Sequence, residues 1–66
     1  VNGYKITAII VCPDPEFGEA EREVQWLIES GSVTHACRTL IHRLAEKGCR
    51  VHYYTSIQPR ELKGGV

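Results

Sequence analysis

Sixty-six residues, eight basic against eight acidic side chains, three cysteines and no methionine exclude several classes at the outset. A chain of this length supports one small domain with a marginal core, because short chains bury a small fraction of their surface on folding; a two-domain enzyme does not fit. The balanced charge removes the strongly basic signature of many nucleic-acid-binding domains, and the longest apolar run, Ile6 to Cys12 with Thr7 inside it, is far too short to cross a bilayer.

Residues 4–12 are rich in β-branched and aromatic side chains and stop at Pro13 and Pro15, which predicts a first strand. Its apolar residues fall on both faces, Ile6, Ala8 and Ile10 on one and Ile9 and Val11 on the other, as suits a central strand. Pro13 to Ser30 admits two readings. As a helix, Asp14 caps, Pro15 takes the first turn, and Phe17, Ala20, Val24, Leu27 and Ile28 share a face. As a loop and then a strand over residues 22–29, Val24, Trp26 and Ile28 lie on one side and Glu23, Gln25, Leu27 and Glu29 on the other. The strand is preferred, because two strands alone make a poor foundation for a domain and the helix would leave Trp26 off its apolar stripe.

Residues 32–47 read as a helix, with Val33, Ala36, Cys37, Leu40, Ile41 and Leu44 at helical spacing, Ser32 as N-cap and Gly48 as the stop. From Arg50 to Ile57 a period of two predicts another strand, with Val51, Tyr53, Thr55 and Ile57 on one side and Arg50, His52, Tyr54 and Ser56 on the other. The expected fold is α+β: a three-stranded antiparallel sheet of order 2-1-3 with one helix packed on one face, in the sequence β-β-α-β, with β-α-α-β as the alternative. Gly64 and Gly65 predict that residues 62–66 fray.

One helix covers one face of such a sheet, so apolar groups among Ile9, Val11, Leu27 and Tyr54, or the opposite set, are left open unless the Pro13–Glu21 loop folds over them. The zero net charge also hides an asymmetry. Residues 14–29 hold six carboxylates and one arginine, whereas residues 35–63 hold six Lys or Arg against two Glu, with all three histidines in addition. The acidic group Asp14, Glu16, Glu19, Glu21 and Glu23 suits a basic cleft on a partner. Arg50, His52 and Tyr54, with Arg38 and Arg43 of the helix, form an alternative basic and aromatic set on which nucleic acid could stack.

Metal and catalytic chemistry find little support. His35, Cys37, His42, Cys49 and His52 lack the paired short spacings of tight zinc sites; Cys12 and Cys37 read as core thiols, and buried thiols are inert. No phosphate-binding glycine loop or nucleophile motif is present. No metal, cofactor or enzymatic activity is expected. Three cysteines cannot all pair within one chain, and no secretory leader precedes the first strand, so a reducing, cytoplasmic setting is expected.

Three partial resemblances bear on function. Gly31 to Thr55 resembles the first helix and second strand of GT-B-fold glycosyltransferases, although the length leaves no room for the second domain of that family. Trp26, Ser30-Gly31, Gly48-Cys49-Arg50-Val51, Tyr53, Thr55, Pro59 and Glu61 resemble the C-terminal module of the SARS-unique region in coronavirus non-structural protein three, which implies an α+β fold and binding of RNA or protein. Tyr4-Lys5-Ile6-Thr7-Ala8, together with length and element order, resembles small phage and prophage accessory proteins, which implies docking on host or defence complexes. The leading expectation is a non-enzymatic protein-binding module of this last kind. A nucleic-acid-binding module and a homodimeric structural protein are the alternatives.

Overall fold

The computed structural model describes residues 2–61 and contains β1 (Gly3–Asp14), β2 (Gly18–Glu29), α1 (Val33–Ala45) and β3 (Arg50–Arg60). The strands form one antiparallel sheet of order β2-β1-β3, so the expected β-β-α-β architecture holds and the second helix of the alternative does not form. The expected fraying of residues 62–66 lies outside the described residues. Among the described residues, no helix is long and apolar enough to cross a membrane.

The segment that sequence left open between loop and helix folds as a tight hairpin. Asp14 pairs with Gly18, so only Pro15, Glu16 and Phe17 form the tip. Pro15 presets the first turn angle, and the Asp14 carboxylate accepts the Glu16 and Phe17 N–H groups at 2.8 and 2.9 Å. These two hydrogen bonds, Phe17's first, hold the Asp14 carboxyl below its ordinary value. Gly18, at φ 81°, closes the turn. β2 therefore begins at Gly18, four residues before the expected start, and the Pro13–Glu21 segment belongs to the hairpin, so that among the described residues nothing folds over the open face of the sheet. β1 and β2 are each 12 residues long, roughly 40 Å at strand rise, and the 13 residues of α1 span about 20 Å. The hairpin consequently reaches past the helix, and the molecule measures 45 × 21 × 21 Å.

α1 begins at Ser32, whose side chain accepts the His35 N–H at 3.2 Å. It packs Ala36, Leu40 and Leu44 on Ile6, Ala8 and Ile10 of β1 and Ile28 of β2. Trp26 and Val24 flank this core, and the Lys47 ammonium lies 5.5 Å from the Trp26 ring centre. Val33 and Ile41, expected in the core from their spacing, are 43% and 49% exposed: the buried stripe on so short a helix is narrower than its apolar pattern.

β3 departs from the expected alternation. Its register against β1 shifts between Thr7 and Ala8 and again between Ile9 and Ile10. Each bulge carries an extra residue and resets which side the chain presents. Val51, Tyr54 and Ile57 pack against the core, and Tyr53 is exposed on the other side. Tyr54 thus belongs under the helix, not with Arg50 and His52.

The expectation of three reduced thiols is also corrected. Cys12 and Cys49 form a disulfide across the β1–β3 register, one position beyond the Val11–Arg50 pair, with Cα atoms 4.3 Å apart. Cys37 is the free cysteine, half-buried in the helix. An odd count concealed a pair that the antiparallel geometry brings together.

Gly48 connects helix and disulfide. Its φ of 77° ends α1, and a Cβ there would lie 3.3 Å from Pro13 Cγ. A side chain at left-handed φ costs about 1–2 kcal/mol, so Gly48→Ala is expected to lose at least that much in urea unfolding. Gly31→Ala is the control, since Gly31 has ordinary φ and open space around it; equal losses at the two positions would refute this account.

Candidate functional site

The face of the sheet turned away from α1 follows from register. Its rows run Glu21–Val11–Arg50, Glu23–Ile9–Tyr53, Gln25–Thr7–Ser56 and Leu27–Lys5–Gln58 from β2 across β1 to β3. Cross-strand partners share a face, so the acidic strand and the basic strand present their charges on the same surface, at its two sides.

Those charges meet over the central strand. Arg50 Nη2 lies 3.3 Å from a Glu19 carboxylate oxygen, and His52 Nε2 lies 3.7 Å from Glu21. Both pairs are solvent-exposed, and such pairs contribute at most about 1 kcal/mol each. The Arg50–Glu19 contact sets opposite charges against each other across β1. Val11 stands between Glu21 and Arg50 in the register and is only 8% exposed on the face turned away from α1. His52 sits at the bulge, which leaves its ring edge-on to Tyr53 at 5.1 Å between centres.

The acidic residues singled out from sequence therefore divide. Asp14 and Glu16 belong to the hairpin tip, with the Asp14 carboxylate already bound to backbone N–H groups. Glu19 and Glu21 are ion-paired, and Glu23 lies beside Ile9 on the same face with no ion pair among the described residues. The alternative basic set does not form one surface. Arg50 and His52 are on the open face, Arg38 and Arg43 are exposed on the helix, and Tyr54 packs on the core between them. Its hydroxyl is buried without a hydrogen-bond partner, and burial, then the nearby Cys37 thiol, push the phenol up.

Away from the helix, the exposed large apolar side chains among the described residues are Tyr53 at 52%, directly across from the half-buried Ile9, Leu27 at 53%, two rows further along the same face, and Phe17 at 80% on the hairpin tip. Leu27 and Ile9 were legible as uncovered; Tyr53 was not, because the bulges exchange it with Tyr54. Phe17 was read only as a core residue of the discarded helix. Beside Leu27, an open groove of about 440 Å³ is lined by Lys5, Gln25, Trp26, Leu27, Arg60 and Glu61. No cluster of three or more His, Cys, Asp or Glu suited to a metal occurs among the described residues.

No protein-family model, curated protein or solved structure matches this chain.

Proposed function

We propose that this chain is a non-enzymatic protein-binding module that docks through the open face of its sheet, in the manner suggested by its resemblance to small phage accessory proteins. The observation that carries the reading is the Ile9–Tyr53 pair on that uncovered face, with Leu27 exposed two rows further along it and the Arg50–Glu19 and His52–Glu21 contacts at one end. An apolar centre with a polar rim is the ordinary anatomy of a protein interface. The Arg50–Glu19 pair and the separation of Arg50 from the helix residues Arg38 and Arg43 weigh against the nucleic-acid alternative, since one of its cations is held by a carboxylate and the set does not share a face. The Cys12–Cys49 disulfide is of a kind more usual in oxidising compartments than in the cytoplasm.

The test is a capture experiment comparing wild type with Leu27→Lys and Tyr53→Glu. Both positions are exposed, so stability is expected to change by no more than about 0.5 kcal/mol, while capture of protein partners through the face is lost. Variants that recover the same proteins as wild type would exclude the face as the docking site. Salt-sensitive RNA binding that disappears in Arg50→Glu would favour the nucleic-acid reading, and concentration-dependent sedimentation abolished by Tyr53→Glu would favour the homodimer.

A further inference from the structure

A three-stranded sheet of order β2-β1-β3 has two edges, and they are protected differently. β3 carries Pro59 and two register shifts against β1; prolines and bulges are the usual devices that stop an edge from pairing further. β2 has neither. It pairs with β1 at every position from Gly18 to Glu29 without a shift, contains no proline, and has no strand on its outer side among the described residues. A long regular edge is a template for another strand, through backbone groups that any sequence supplies.

The protection β2 does have is charge of one sign. Glu19, Glu21 and Glu23 alternate along its open-face side. Were the β2 edges of two copies to pair, these carboxylates would crowd one another, and like charges directly opposite destabilise a ladder. Glu23, with no ion pair among the described residues, is the member of that row best placed to attract a cationic strand, since Glu19 and Glu21 already face Arg50 and His52. On the other side of β2, Val24 and Trp26 are half-buried at the margin of the core, and an added strand would extend the apolar layer over them. Arg22, exposed on that side, confines the apolar requirement to the part of the strand beyond it.

We propose that the outer edge of β2 accepts an extended segment of a partner protein as a fourth strand, with basic residues opposite Glu21 and Glu23 and apolar residues opposite Val24 and Trp26. Backbone hydrogen bonds supply the attachment, and the two side-chain rows supply the selection. This rests on the reading of the chain as a protein-binding module but uses a different surface from the open face, so the two can fail separately.

The probe is a synthetic peptide of alternating lysine and valine, about eight residues long to match the usual span of an edge pairing, titrated into the oxidised protein and followed by amide chemical shifts and hydrogen exchange. Shifts and new protection are expected along β2 from Glu19 to Ile28. A peptide with glutamate in place of lysine, a peptide N-methylated at its central residues, and the protein variant Glu21→Lys/Glu23→Lys should each weaken binding by about tenfold or more. The Tyr53→Glu protein, altered on β3, should bind the probe like wild type. Equal affinity for the N-methylated peptide would show attraction by charge without strand addition and overturn the proposal. So would perturbations centred on β3 or α1, or no binding of the lysine–valine peptide.

Discussion

Reducing the Cys12–Cys49 disulfide is expected to cost this domain about 4 kcal/mol, the chain-entropy value for a crosslink between residues 37 apart in sequence. The closed loop contains the hairpin tip, β2 and α1, so the bond removes much of the freedom of the unfolded chain in a single step. For a domain of this size total stability is only on the order of 3–10 kcal/mol. The reduced protein should therefore be marginal or unfolded at ambient temperature. Urea unfolding followed by circular dichroism, with and without a dithiol reductant, measures the difference directly, and Cys12→Ala/Cys49→Ala should reproduce the reduced midpoint while losing sensitivity to reductant. Cys37→Ser is the matched control, because Cys37 takes no part in the bond. Coincident midpoints for oxidised and reduced wild type would show that the crosslink contributes nothing.

That bond also marks where sequence reasoning stopped. Strand order and direction followed from the doubly apolar β1 and from the need for a third strand beside it, both of which are local patterns combined with a simple topological rule. The antiparallel pairing of β1 with β3 already placed the end of the Ile6–Cys12 run next to the start of the strand after Gly48, so proximity of Cys12 and Cys49 was within reach. The odd number of cysteines pointed the other way, because composition is blind to which residues the fold makes neighbours. The hairpin tip was obscured for a different reason. Asp14-Pro15 opens a helix as readily as a type I turn, and only the register with Gly18 decides between them.

The candidate site was less legible than the fold. A period of two over Arg50–Ile57 fits a regular strand, yet Val51, Tyr54 and Ile57 also recur every third residue, which is what two bulges within one strand produce. Which of two adjacent tyrosines meets solvent depends on those bulges, and they arise from fitting β3 to β1 beneath α1. The electrostatic pattern was visible only in its halves. Acidic residues in one segment and basic residues in another implied a dipole, but the sheet places β2 and β3 on either side of β1, so Arg50 of one half meets Glu19 of the other across the central strand. Of the carboxylates on the open-face side of β2, Glu23 is left without an ion pair among the described residues, and it lies on an edge strand where backbone hydrogen bonds are also on offer.

Leu40→Ala is expected to destabilise the oxidised protein by about 3 kcal/mol, within the range of roughly 2–5 kcal/mol for truncating a buried leucine. Leu40 has no exposed surface and packs in the cluster with Ile6, Ala8, Ile10, Ala36 and Leu44. Ala8 and Ala36 have no side-chain atoms with which to fill the space, and α1 is tethered at one end by the Ser30–Ser32 turn, in which the Ser30 hydroxyl accepts the Ser32 N–H and donates to its carbonyl, and at the other by the Cys49 disulfide. The helix cannot settle freely into the cavity, so most of the lost packing stays lost. Ile41→Ala provides the contrast. Ile41 is 49% exposed, and alanine is the better helix former by a few tenths of a kcal/mol, so this variant should stay within about 1 kcal/mol of wild type. The neighbouring positions separate two descriptions of the helix: an apolar stripe as wide as its sequence pattern, in which both truncations are costly, and the narrower contact set centred on Leu40. Urea midpoints of the two oxidised variants decide between them, and a loss at Ile41 equal to that at Leu40 would mean that α1 lies on the sheet through a different face.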